Sequence, residues 1–339
     1  MKDNINKPIA IWLYCGALAV IVQIILGGIT RLTGSGLSIT EWQPLLGSFP
    51  PMNTAAWQTS FDKYKEIAQF KVVNPHFSLE DYKAIFFWEW LHRNWARFIG
   101  LMFIIPFIIF SLQRKINAKL LVQLSLLLLL GLLQAVIGWI MVKSGLNNTM
   151  IAVNEVKLAI HFITAIVLLC YMLWIAFKLS IRTAAHYYSK KLRNSCLISL
   201  GLILLQLIFG ALMAGSKAAL AAPTWPDMNG FIIPSPISYL LWIQLIHRTL
   251  AYLIIVAVFI TYKRTATWKK DHQLFRIRIL PFVLILFQVI LGIATLMNIL
   301  NPNYRYYALF HQGMAIVLVT VILLFTNISG KRYGRLIIP

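Results

Sequence analysis

The sequence predicts an all-α polytopic membrane protein: eight transmembrane helices arranged as two four-helix bundles related by a pseudo-two-fold axis. Three observations predict it. Of 339 residues, 59% are hydrophobic and 12% charged, with a mean hydropathy of +0.75, which excludes both a water-soluble globular domain and a disordered chain. Eight apolar runs are long enough to cross about 30 Å of hydrocarbon. A pattern of Gln, Gly and His recurs between the two halves of the chain.

The runs cover roughly 9–29, 84–112, 120–142, 156–177, 195–214, 239–262, 279–297 and 307–326. The first is too long for a signal-peptide core and lacks a small-residue cleavage motif, so it is expected to be retained as a span. The long loop 30–83 holds Trp57, Phe61, Tyr64 and Ala68 at helical spacing after an N-cap residue, Asn53. An amphipathic helix lying on the membrane surface is expected there. Ser78 with Asp81 reads as a capping box opening the second span. Gly34-Ser35-Gly36 follows a span rather than a strand and has no P-loop lysine, so it reads as a turn.

The net charge of +21, from 31 Lys and Arg against 10 Asp and Glu, would point to nucleic acid in a soluble protein. Its distribution says otherwise. Lys2 and Lys7 precede the first span; Arg114, Lys115 and Lys119 follow the second; Arg182, Lys190, Lys191 and Arg193 follow the fourth. Lys263, Arg264, Lys269, Lys270, Arg276 and Arg278 follow the sixth, and Lys331, Arg332 and Arg335 the eighth. The alternate short loops carry little more than Lys143, Lys217 and Arg305. This is a topology signal with both termini cytoplasmic, so the expected partner is membrane lipid and not nucleic acid. Cys15, Cys170 and Cys196 are far apart in or beside apolar runs, so neither a disulfide framework nor a zinc site is expected.

Gln-x-x-x-Gly occurs at Gln23/Gly27, Gln134/Gly138, Gln206/Gly210 and Gln288/Gly292, once in each odd-numbered span. The even spans carry histidines. His92-Arg93-x-x-Ala96 matches His247-Arg248-x-x-Ala251, and His161-x-x-x-Ala165 matches His311-x-x-x-Ala315. Four spans per half give both halves the same orientation, with the axis along the membrane normal. Gln-x-x-x-Gly reads as helix packing, the Gly letting backbones approach and the Gln bonding across the interface.

All four repeat histidines fall early in spans that run inward, and so at one depth in the outer leaflet. A lone intramembrane histidine is usually a helix-to-helix hydrogen bond; four at matched depth, two per repeat, favour ligation. Imidazoles on facing helices can clasp a haem iron, whereas zinc or copper would want further ligands that are not at helical spacing here. Arg93 and Arg248 adjoin the histidines and read equally as propionate partners or as interfacial anchors. His76, His186 and His272 have no repeat partners and read as solvated. The halves differ at one position: Glu89 stands three residues before His92, whereas Gln244 precedes His247. A carboxylate there can accept protons and an amide cannot. Glu89 also reads as an ion-pair partner for Arg93 or Arg97.

The stretches 30–42 (TRLTGSGLSITEW), 88–97 (WEWLHRNWAR) and 138–146 (GWIMVKSGL), with His311-Gln312, resemble the haem A synthase family, and the likeness spans essentially the whole chain. The resemblance implies a first half, 1–180, holding the substrate haem O, and a second half, 181–339, holding a permanent haem b. It makes His92 and His161 the flanking residues of the substrate haem iron, with Glu89 the essential acidic group, and His247 and His311 the ligands of haem b iron. The implied reaction oxidises a porphyrin methyl to a formyl group by two hydroxylations and loss of water. Haem O would come from an upstream prenyltransferase, haem O synthase, and electrons would pass to or from a further partner. The chain is similar to the cysteine-free type of proteobacteria and mitochondria, which implies the plasma (inner) membrane of a bacterium, with the haem sites toward the outer face. One stretch departs from the family pattern, KAALAAPTWPDMN at Lys217 to Asn229, where a Gly-, Asn- and Tyr-containing version is expected. The rival readings are a dihaem b quinol-oxidising electron-transfer subunit, which would need no acidic residue in one half only, and a transporter, which the lack of broken helices disfavours.

Overall fold

A computed structural model describes residues 7–42, 46–147, 149–181, 189–267 and 273–330. His186, His272 and several of the basic loop residues lie outside the described residues. In chain order the helices are α1 (Lys7–Leu32), α2 (Thr54–Lys65), α3 (Ala68–Val73), α4 (Leu79–Leu112), α5 (Ala118–Lys143) and α6 (Glu155–Ser180). They continue as α7 (Lys190–Ser216), α8 (Tyr239–Arg264), α9 (Gln273–Ile277), α10 (Leu280–Met297) and α11 (Tyr304–Ser329). Eight of the helical segments are long and apolar enough to cross a membrane, and each meets one expected span. Among the described residues there are no β-strands, only a bridge between Met228 and Phe231. The chain is an all-helical, multi-pass membrane protein.

The helix starts follow from their caps. Ser78 Oγ accepts from the Asp81 amide at 3.3 Å while the Ser78 amide donates to Asp81 Oδ2 at 2.9 Å, completing the expected capping box of α4. Asn117 Oδ1 caps α5 through the Leu120 amide at 2.9 Å, and Ser238 Oγ caps α8 through the Leu241 amide at 3.4 Å. Lys143, Lys178, Lys263 and Arg264 stand in the last turns of their helices, where cations oppose the negative end of the helix dipole.

The stripe in the long loop corrects one expectation. Asn53 caps α2 as expected, its Oδ1 accepting from the Ala56 amide at 2.8 Å, but α2 ends at Lys65 and Ala68 begins α3. Phe61 and Tyr64 are buried against Tyr82, Ile85 and Phe86 of α4, together with Leu37 and Ile67. In that cluster Tyr64 of the stripe and Tyr82 of α4 find the polar partners that buried tyrosines usually take. Tyr82 donates to the Ser38 carbonyl at 3.1 Å, and Tyr64 donates to Gln69 Oε1 at 3.1 Å while accepting from Asn74 Nδ2 at 2.8 Å. Phe61→Ala is therefore expected to cost about 3–5 kcal/mol and to make loop 33–78 sensitive to protease. A variant with unchanged melting and proteolysis would return the stripe to the lipid surface.

The described residues group into two compact units, 16–168 and 1–15 with 169–339. In the first, α4 packs on α5 and carries α2, and the Trp95 indole donates to the Ala19 carbonyl of α1 at 2.9 Å. In the second, α7 packs on α8 and α11, and α10 packs on α8 and α11, closing a four-helix ring. Within that unit Ser199 and Thr261 share a buried hydrogen bond of 3.1 Å.

Candidate active site

Each Gln-x-x-x-Gly pair faces the histidine of the next long helix. In the unit 16–168, Gln23 Nε2 of α1 donates to the His92 carbonyl of α4 at 3.1 Å. A Cβ built on Gly27, one turn along the same face, would lie 3.2 Å from His92 Nε2. Gln134 Nε2 of α5 donates to the His161 carbonyl of α6 at 2.8 Å and lies 3.1 Å from His161 Nδ1. A Cβ on Gly138 would come within 2.8 Å of His161 Cε1.

The other unit repeats this twice. Gln206 Nε2 of α7 donates to the His247 carbonyl of α8 at 3.0 Å and lies 3.3 Å from the ring Nε2, and a Cβ on Gly210 would lie 3.2 Å from His247 Cε1. On α10, Gln288 Nε2 is 3.4 Å from His311 Nε2, its carbonyl is 3.0 Å from His311 Nδ1, and a Cβ on Gly292 would lie 2.9 Å from His311 Cε1. The motif packs helices, as expected, but what the glycine admits is an imidazole ring. Sequence reasoning missed the four glutamines as site residues. The available signal was that each odd span with Gln-x-x-x-Gly precedes an even span with a histidine.

Each unit holds two cradled imidazoles, His92 and His161 in one and His247 and His311 in the other. No group of three or more His, Cys, Asp or Glu suited to a metal ion exists among the described residues; each histidine pair offers two imidazole donors, a set that a haem iron can use. Of the buried polar atoms without a partner, His247 Nδ1, Arg248 Nε and the Oε1 atoms of Gln206, Gln244 and Gln288 belong to the second unit's cradles and the residues beside them, Gln23 Oε1 to the first unit's, and both amide atoms of Asn327 to the far end of α11. An orphaned imidazole nitrogen in a buried bundle costs about 1–3 kcal/mol, a cost that iron coordination would remove. The residues therefore fit a haem.

Glu89 is 2% exposed and has three donors. Ser38 Oγ and the Ile39 amide donate to Oε2 at 2.8 and 2.9 Å, and Arg93 Nη2 donates to Oε1 at 2.7 Å. Arg93 also reaches the Ile39 and Glu41 carbonyls at 3.0 and 3.1 Å. Glu89 is thus an ion-pair partner of Arg93 and the anchor of residues 38–39, one turn from His92. Its counterpart Gln244 is fully buried and donates from Nε2 to the Ala222 carbonyl at 2.8 Å. Both positions tie down the loop before their helix, one as acceptor and one as donor.

Arg248 turns its guanidinium to four carbonyls, those of Ala222, Thr224, Pro226 and Asp227, at 3.1, 2.8, 3.4 and 2.7 Å. That fork gives the divergent stretch Lys217 to Asn229 a folded form. In the same loop Asp227 accepts from Thr224 Oγ1 at 2.6 Å and from the Gly230 amide at 3.1 Å; these bonds, the hydroxyl foremost, hold its carboxyl below the usual aspartate range. His76 is exposed, and Gly34, at φ +70°, makes the expected turn. Cys15, Cys170 and Cys196 are all free thiols.

A family model described as "Cytochrome oxidase assembly protein" matches residues 10–323. A heme A synthase of Flavobacterium psychrophilum is 37% identical over 343 residues, 94% of this chain and 96% of the relative. Heme A synthases of a Caulobacter species and of Azorhizobium caulinodans are each 36% identical, covering 94% and 96% of this chain and 96% and 95% of theirs. None of these relatives supports the rival reading of a quinol-oxidising electron carrier. With matches along nearly its full length, the chain belongs to the haem A synthase family.

Proposed function

We propose that this protein oxidises the methyl group of haem O to the formyl group of haem A, the haem of cytochrome oxidases. The observation that carries this reading is the asymmetry within a repeated scaffold. Two histidine pairs sit on matched Gln-Gly cradles, but only the pair His92 and His161 has a buried carboxylate, Glu89, beside it. One pair is then a reaction site and the other a permanent cofactor site. The functional halves are 1–180, with the substrate haem, and 181–339, with haem b.

In this reading His247 and His311 would hold the iron of haem b, which would supply one-electron transfer when bound. His92 and His161 flank the substrate haem and set its depth and orientation. Written as a half-reaction, the conversion is R–CH3 + H2O → R–CHO + 4 H+ + 4 e−, so four electrons pass to an external electron acceptor and protons are released in an apolar bundle. Glu89 is the carboxylate available to take them, and its bonds to Ser38, Ile39 and Arg93 keep loop 33–78 closed beside the site. Arg93 and Arg248 act as clamps on loop carbonyls, with Arg248 Nε left for a propionate. Basic residues concentrated on one set of loops support a reading with both termini in the cytoplasm, and the bacterial relatives support the inner membrane, with the haem sites toward its outer face. The substrate arrives from a haem O-forming prenyltransferase.

Extraction of the haems from purified protein tests the reading. The expected result is haem b together with haem O, haem A or a hydroxylated intermediate. Haem b alone, even when haem O is supplied by co-expression, would contradict it and favour an electron carrier.

A further inference from the structure

Four glutamines stand at equivalent places in this chain, and at three of them the amide is expensive. The Oε1 atoms of Gln23, Gln206 and Gln288 are buried without a partner. A leucine there would pack against the facing helix and bury no polar orphan. What the amides have in common is the direction of Nε2, which each time meets the histidine of the facing helix, at 3.1 Å from Gln23, 2.8 Å from Gln134, 3.0 Å from Gln206 and 3.4 Å from Gln288. Where Nε2 meets a backbone carbonyl, that carbonyl fixes the orientation of the amide, because an oxygen could not face it. The glycine one turn along leaves no depth to spare, since a Cβ would stand 2.8 to 3.2 Å from the ring. At His161, His247 and His311 the ring lies between the amide nitrogen and a flat gap, and at His92 the amide meets the backbone carbonyl alone.

We propose that the four glutamines are positioning residues for the histidines, Gln23 through the His92 backbone and Gln134, Gln206 and Gln288 through the ring itself, and that Gln206 and Gln288 thereby set the electronic properties of the haem b that His247 and His311 would bind. The inference rests on the haem-binding reading above. Axial ligand orientation and the hydrogen bonds around it are levers on haem electronics. The cradles are not identical. Gln134 alone has its Oε1 engaged, by the Thr164 hydroxyl at 2.6 Å, and the positions matching Thr164 in the other cradles are Trp95, Leu250 and Met314. The amide serving His161 is locked from both ends, and the amides serving haem b are held from one.

The test uses the full-length, haem-loaded protein carrying Gln206→Leu or Gln288→Leu, which keep volume and remove the donor. Three quantities are read: the low-spin haem g-values by electron paramagnetic resonance, the haem b midpoint potential, and the helix melting temperature by circular dichroism. The expected result is a shift of g-values and potential, or loss of haem b, with an unchanged helical melt. Unshifted g-values and potential would overturn the positioning role, and so would loss of haem together with a collapsed melt, which would make the glutamines packing residues. Wild-type protein without a bis-histidine low-spin signal would instead defeat the haem-binding reading underneath.

Discussion

Glu89→Gln is expected to lower haem A formation by about 100-fold or more, the scale of a lost general acid or base, while the low-spin haem b spectrum stays in place. The size of the effect follows from what a carboxylate does that an amide cannot. Glu89 accepts from Ser38, Ile39 and Arg93 at once. A glutamine there turns its amine toward a donor whichever way it sits, and it cannot take a proton at neutral pH. Part of the loss will come from a loosened loop, because breaking a buried ion pair leaves Arg93 uncompensated and costs about 3–5 kcal/mol. Ser38→Ala separates the two effects: it removes one loop bond worth about 1.5–3 kcal/mol and keeps the charge. If Ser38→Ala loses as much product as Glu89→Gln, Glu89 is an anchor and not the proton acceptor. Normal haem A in a strain depending on Glu89→Gln would remove it from the mechanism.

His247→Ala and His311→Ala are expected, on the proposed haem-binding reading, to abolish most of the low-spin haem b spectrum. Each would remove one of the two imidazoles proposed to hold the iron and leave no donor in its place, and in His311→Ala the contact of His311 Nδ1 with the Gln288 carbonyl is lost as well. Difference spectra of purified variants check this. An unchanged reduced spectrum in either would show that this pair does not hold the iron.

The spans were legible because apolar runs of about 20 residues have few alternatives in a membrane, and the caps at Asn53 and Ser78 were legible because they are local. The stripe Trp57, Phe61, Tyr64 was read correctly as one helical face and wrongly as a lipid-facing one. Its partners, Leu37 and Tyr82, lie many residues away, and periodicity alone does not distinguish burial in protein from burial in lipid. The repeat made the histidines and the Glu89/Gln244 difference visible. It did not reveal that Glu89 reaches Ser38 and Ile39, nor that Arg248 spends its guanidinium on four carbonyls, because loop conformations carry no periodic signal. The glutamines were visible but read as generic packing. Their common direction toward histidines is a property of facing helices, which a single sequence does not pair.

The central claim is the division of labour between the two histidine pairs, and the haem content of alanine variants co-expressed with a haem O-producing prenyltransferase tests it most directly. Wild-type protein should gain haem O or haem A per chain as the prenyltransferase supplies it, with haem b unchanged. His92→Ala and His161→Ala should lose product and keep haem b, and His247→Ala should lose haem b. Loss of haem b from the first two variants, with its retention in His247→Ala, would contradict the account and reverse the roles of the pairs.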